Sequence, residues 1–132
     1  MKRNLYRALV ITCLALLSIA GYAQGEAFGP VRDAIRTGSS HELAQFFSAT
    51  VELGFDGDKQ SYSPTQAEFV MKDFFAKNAP NGFEYIHQGA SNGGIPYAIG
   101  KYNGKSGSYR VFVKMKSESG TFKIDNIEFT KE

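Results

Sequence analysis

The residues most able to do chemistry are His87 and three tyrosines, Tyr85, Tyr102 and Tyr109. Histidine titrates near neutral pH, and a histidine among phenols can act as a general acid or base. Tyr85 and His87 are two apart, so an unbroken strand puts them on one face. Tyr102 and Tyr109 can join them from the next two strands. The same four residues, closed over by Met71 and Phe75 from a helix, could instead line a polar-aromatic pocket for a small amphipathic ligand. Each tyrosine offers an apolar body and one hydroxyl for that purpose. His87 is the one candidate catalytic residue, and a rim histidine beside a filled core is the plainer alternative.

Other site chemistry is thinly represented. The "DGD" at Asp56–Asp58 has too few following oxygen ligands for a calcium loop and reads as a hairpin tip. His41, in "SSHEL", starts a helix and is expected to be solvated. No G-x-S-x-G, phosphate-binding glycine loop or zinc-spaced histidine pair occurs. The expectation is therefore no metal and no cofactor.

The elements that must position these residues follow from periodicity. Phe28, Val31 and Ile35 share a helical face ending at Gly38, and Ser39 with Glu42 reads as a capping box leading to Leu43, Phe46 and Phe47. "TVELGF" switches to period two and returns through Asp56-Gly57 as a hairpin. Ser63, Pro64 and Gln66 open a helix whose Ala67, Val70, Met71, Phe74 and Phe75 form one continuous stripe. Four strands follow: "GFEYIHQGAS", "PYAIGKYN", "SYRVFVKMKS" and "TFKIDNIEF". The fold class is α+β, three helices on a curved, mainly antiparallel sheet.

Two-residue turns at Asn92-Gly93, Ser106-Gly107 and Ser119-Gly120 sort the faces. The inner face collects Phe83, Tyr85, His87, Ala98, Gly100, Tyr102, Tyr109, Val111, Val113, Met115, Phe122 and Ile124. No Asp or Glu is among them, which counts against proton abstraction by a carboxylate. In the last strand the apolar residues change parity between Ile124 and Ile127, so an extra residue at Asp125 or Asn126 makes a bulge that bends the strand. Asp125 is the one acid such a bulge could re-aim. Small Ala98 and Gly100 leave room at mid-sheet for a close helix or a cavity. On the outer face Ile86, Tyr97, Ile99 and Phe112 cluster within a ring of Arg110, Lys101, Lys114, Lys116 and Lys123. An apolar centre with a charged rim predicts an interface, expected to be a homodimer.

Residues 1–23 stand apart. "MKRNLYR" is basic, "ALVITCLALLSIA" is an apolar run of thirteen, and Gly21 and Ala23 are small exit residues. These are the parts of a secretory signal peptide, and the run is shorter than the about 20 residues a spanning helix needs. The expectation is an exported, periplasmic or secreted protein with a single domain over 24–132 and no membrane span after cleavage. The only cysteine, Cys13, leaves with the leader. Removing Lys2, Arg3 and Arg7 leaves 12 basic against 13 acidic residues, a net charge of −1 in place of +2. That balance excludes the basic excess of a dedicated nucleic-acid binder.

The order helix, helix, hairpin, helix and four strands resembles the nuclear transport factor 2-like (NTF2-like, cystatin-like) superfamily. More narrowly, "SSHELAQFF…VEL", "YSPTQAEFVMKDFF" and "YAIGKYNGKSGSYRVF" resemble the exported bacterial domain-of-unknown-function 4783 family, over about Phe28 to Phe129. The resemblance implies a cone of helices closing one side of a curved sheet, often around a pocket. It implies no single activity, since the superfamily includes isomerases, dehydratases, carriers and dimerisation modules. The expected function is non-enzymatic binding of a small ligand or a protein partner. The alternatives are an acid/base enzyme of isomerase or dehydratase type using His87, and a structural dimerisation module with a filled core.

Overall fold

The structure, a computed structural model, describes residues 27–132; the leader assigned to 1–23 lies outside the described residues. Helix α1, Phe28–Thr37, buries Phe28, Val31, Ala34 and Ile35 on one stripe and is closed by Gly38. Helix α2, Ser40–Ala44, starts where the Ser39 hydroxyl accepts the Glu42 amide at 3.2 Å. It is shorter than its apolar stripe predicts. Phe47, assigned to that stripe, instead opens strand β1, Phe47–Phe55, because it pairs with Ile124 and Phe46 accepts the Ile124 amide at 2.6 Å. Sheet pairing here outweighs helical periodicity.

Strand β2, Asp58–Tyr62, returns from β1 through the expected tight turn. Asp56 (φ 51°) and Gly57 (φ 88°) both sit in the left-handed region that a two-residue hairpin requires. Helix α3, Pro64–Lys77, is started by a complete capping box between Ser63 and Gln66 with proline in the first turn. Its buried residues are Ala67, Met71, Phe74 and Phe75. Four long strands complete the chain: β3 Pro80–Ser91, β4 Ile95–Gly104, β5 Gly107–Glu118 and β6 Thr121–Lys131.

All six strands form one curved, unclosed sheet in the order β2-β1-β6-β5-β4-β3. Every pairing is antiparallel except β1 with β6, so the hairpin extends the sheet rather than standing apart from it. The β6 bulge is present: Met115 faces Ile124 but Lys114 faces Asn126, leaving Asp125 as the extra residue. Val111, Val113, Met115, Ile124, Ile127 and Phe129 consequently all point inward and are almost fully buried. The β4–β5 turn lies one residue earlier than expected, at Lys105-Ser106, since Gly104 pairs with Gly107. That shift leaves the face of every residue unchanged.

Phe74 is the centre of the core. Its ring lies 4.6 Å from Phe129, 5.2 Å from Phe55, 5.3 Å from Tyr109 and 5.7 Å from Tyr102, tying α3 to β1, β4, β5 and β6. The small residues at mid-sheet do not leave a void. A Cβ on Gly100 would stand 2.6 Å from the Phe83 ring, so the glycine exists to let that ring lie across β4.

Phe74→Ala is expected to destabilise the domain by about 3–5 kcal/mol, the cost of truncating a buried phenylalanine among rigid neighbours. Urea unfolding measures it. A loss below about 1 kcal/mol would mean the aromatic cluster can collapse to fill the gap.

Candidate functional site

The structure separates the residues that the chain's spacing brings together. In β3, Tyr85 pairs with Gly100, but His87 pairs with Ile99. Ile86 is the extra residue, and everything after it changes face. The β3–β4 connection lengthens to match, with Ser91 pairing Ile95 around the three residues Asn92, Gly93 and Gly94. His87 is therefore on the outer face, exposed, rather than among the inner tyrosines, and Gln88 takes the inward register opposite Ala98. The expectation of an inner-face His87 is corrected by that one residue.

His87 finds a different partner outside. Its Nε2 lies 3.1 Å from the Tyr97 hydroxyl, with the rings 5.6 Å apart. Tyr97 in turn lies across Gly89, where an added Cβ would meet the tyrosine oxygen at 2.9 Å. It also approaches the Phe112 ring at 6.0 Å. Ile99 and Phe112 are direct cross-strand partners, and Ile86 is 66% exposed at the bulge. His87, Tyr97, Ile99 and Phe112 thus neighbour one another on the outer face, with exposed Ile86 at the bulge next to His87.

The remaining residues assigned to a pocket are occupied by the fold. Met71 and Tyr102 are wholly buried, and Phe75 and Tyr109 nearly so. The Tyr85 hydroxyl donates to the Phe28 carbonyl at 2.8 Å, joining β3 to α1. Tyr102 donates to the Asn78 carbonyl, and Tyr109 donates to Asn78 Oδ1 at 3.2 Å. Asn78 also donates its side-chain amide to Phe74 O at 3.3 Å. This residue, at the C-terminal end of α3, holds the helix onto the sheet. An Asn directly after the last helical residue is the sequence signal for such a cap.

Burial pushes the Tyr85 and Tyr102 hydroxyls well above the ordinary tyrosine value, because the phenolate would lose its water. His41 meets Glu68 at 3.2 Å on the exposed surface between α2 and α3. Asp125 at the β6 bulge lies 4.0 Å from the Lys116 ammonium, away from the inner tyrosines' hydroxyls and their partners. In the "DGD" hairpin tip, Asp56 Oδ1 accepts the Lys131 amide at 2.7 Å. Among the described residues, no group of three or more His, Cys, Asp or Glu is placed to hold a metal ion. No described helix is long and apolar enough to cross a membrane.

One cleft is open to solvent where the β1–β2 hairpin tip approaches the C-terminal half of α3. It has a volume of about 270 Å³ and is lined by Phe55, Asp56, Val70, Asp73, Phe74, Lys77, Asn78 and Tyr109. Only Tyr109 was among the residues expected to line a pocket.

The raised Tyr85 and Tyr102 values make stability fall at high pH. Their contribution is complete below the unfolded value near 10 and is lost as pH rises from there towards the raised folded value, because only the unfolded chain ionises readily. Tyr102→Phe is expected to cost about 0.5–1.5 kcal/mol at neutral pH through its lost hydrogen bond. The same variant should lose less stability than wild type above pH 10. Urea unfolding on either side of that pH, with parallel losses in the two proteins, would contradict the assignment.

Comparison with known proteins agrees with this architecture. The family described as "Domain of unknown function (DUF4783)" matches residues 28–130. Among solved structures, a DUF4783 family protein from Bacteroides ovatus is 30% identical with a TM-score of 0.74, over 78% of this chain and 93% of that one. A second, from Bacteroides fragilis, is 24% identical with a TM-score of 0.74, over 78% and 96%. An NTF2-like protein of unknown function from Shewanella baltica shares 12% identity and a TM-score of 0.65, over 87% and 95%, and so speaks to fold alone. No curated protein sequence matches the chain. With six strands in this order, helices on the inner face and a family match spanning nearly the whole described domain, the chain belongs to the DUF4783 family and has an NTF2-like fold.

Proposed function

We propose that this is an exported, non-catalytic binding domain that works through the outer face of its sheet, with a second copy of the chain as partner. The observation carrying this reading is the contrast between the two faces. Inside, the tyrosine hydroxyls are committed to Phe28 and Asn78, and Met71, Phe75, Tyr102 and Tyr109 are buried. Outside, Ile86, His87, Tyr97, Ile99 and Phe112 form a contiguous aromatic and aliphatic surface. The acid/base alternative would need His87 among the inner tyrosines, and the sheet lies between them.

Charge supports the choice of partner. Reading across the outer face, one row runs Lys59, Gly54, Glu128, Phe112, Ile99, His87 and the next runs Ser61, Glu52, Asn126, Lys114, Tyr97, Gly89. Glu52 and Glu128 lie on β1 and β6, and Arg110, Lys114 and Lys101 on β5 and β4, with Lys123 on β6, Glu84 on β3 and Arg110 3.8 Å from Glu132. A two-fold axis parallel to the strands, between β6 and β5, would set β6 of one copy over β5 of the other, with Glu128 one row from the other copy's Lys114 and Phe112 beside its counterpart at the axis. Glu84, on β3, lies opposite Lys101 in register and farther from the two-fold axis than Glu128. Glu128 and Glu52 are also engaged within the chain, Glu128 with Lys59 at 2.6 Å and Glu52 with Asn126 at 2.9 Å. Five side chains, three of them half-buried, fall short of the ~800 Å² per partner typical of a stable complex. The dimer is accordingly weak.

Protein recovered from the periplasmic or secreted fraction is expected to have an intact mass starting at Gln24 or Gly21. In sedimentation velocity it should show a monomer–dimer equilibrium that Phe112→Glu abolishes with the fold intact. Retained Met1 would contradict export. A wild-type chain monomeric at high micromolar concentration would contradict self-association.

A further inference from the structure

The open cleft is a separate feature, on the opposite side of the sheet from the proposed interface and independent of it. Its floor is aromatic: Phe74 lies 5.2 Å from Phe55 and 5.3 Å from Tyr109 in ring-centroid distance. Its polar rim is Asp56, Asp73, Lys77 and Asn78. Much of that rim is already committed. Asn78 binds Tyr109 and the Phe74 carbonyl, and Lys77 Nζ pairs with Asp73 at 3.0 Å.

Asp56 is different. Its Oδ1 accepts the Lys131 backbone amide at 2.7 Å, and its own amide donates to Phe129 O at 2.9 Å, so the carboxylate is fixed in place. No cation among the lining residues remains for it, because Lys77, the one lining cation, sits on Asp73. The Lys131 side chain runs elsewhere, its Cε 3.6 Å from the position a Gly107 Cβ would take. The cleft therefore combines an aromatic floor with one uncompensated negative charge at its edge.

We propose that this cleft binds a small organic ammonium ion, a primary amine carrying an aromatic or aliphatic body. The body lies against Phe55, Phe74 and Tyr109, and the ammonium group meets the Asp56 carboxylate. Two features favour a cation over an anion or a neutral molecule. The formal charge of the lining is −1, from Asp56 and Asp73 against Lys77. The aromatic faces beside that charge attract a cation further through their quadrupoles. At about 270 Å³ the space suits a fragment-sized ligand, since drug-sized pockets run to roughly 300–1,000 Å³.

Phenethylamine and 3-phenylpropionate, similar in size and opposite in charge, test this on the exported protein by amide chemical-shift titration. Phenethylamine should bind saturably, with shifts at Phe55–Gly57 and Lys77–Asn78, at least about tenfold more tightly than the carboxylate. Asp56→Asn keeps an acceptor for the Lys131 amide and a residue that tolerates the left-handed turn, and should weaken the amine by about tenfold or more. Asp73→Asn releases Lys77 and should shift preference towards the carboxylate. Equal affinity for both probes, no saturable shift from the amine, or undiminished amine binding in Asp56→Asn would each overturn the proposal. Sedimentation of the same variants keeps it distinct from self-association, which neither substitution touches.

Discussion

A β-strand sends successive side chains to opposite faces, so one extra residue transfers everything after it to the other side. Among the register shifts of the sheet, two decide which side chains face the helices. Asp125 in β6 lets Ile124 and Ile127, three apart, both point inward against the helices. Ile86 in β3 does the converse, keeping Tyr85 inside and sending His87 out. The composition of each face follows: no histidine or carboxylate among the buried residues described, and an exterior where His87, Tyr97 and Phe112 meet.

Two aromatic rings laid over glycines tighten the sheet around those bulges. Phe83 covers Gly100 inside, and Tyr97 covers Gly89 outside. Each replaces a missing side chain with a large one from the neighbouring strand, where a Cβ would collide. On the helix side, Asn78 gathers Tyr102, Tyr109 and the last turn of α3 at one point. The result is an inner face whose tyrosine hydroxyls are engaged by the fold, with an open cleft beside the β1–β2 hairpin.

Much of the fold was legible in the chain. The Ser63–Gln66 capping box, the Asp56-Gly57 turn and the α3 stripe are local signals, decided within a few residues by hydrogen bonding and backbone geometry. The β6 bulge was also legible, because Ile124 and Ile127 are apolar and their change of parity is visible. The β3 bulge left no such trace. Tyr85, Ile86 and His87 are each acceptable on either face, and Ile86 is exposed although apolar. Nor could periodicity show that β1 runs parallel to β6, a pairing across more than seventy residues that also claimed Phe47 from its helix. The outer-face group of Ile86, Tyr97, Ile99 and Phe112 was placed together because pairing through the β4–β5 turn kept its parity. The cleft was not anticipated, since Asp56 and Asp73 come together only through packing of the hairpin against α3.

Ile86 as the extra residue of β3 turns His87 outward. Nuclear Overhauser contacts of the His87 ring test it most directly. The His87 ring should show contacts to the Tyr97 ring, and the Tyr97 ring to the Gly89 α-protons. Contacts from His87 to the rings of Tyr85 or Tyr102 would contradict it, and would return the histidine to the inner face.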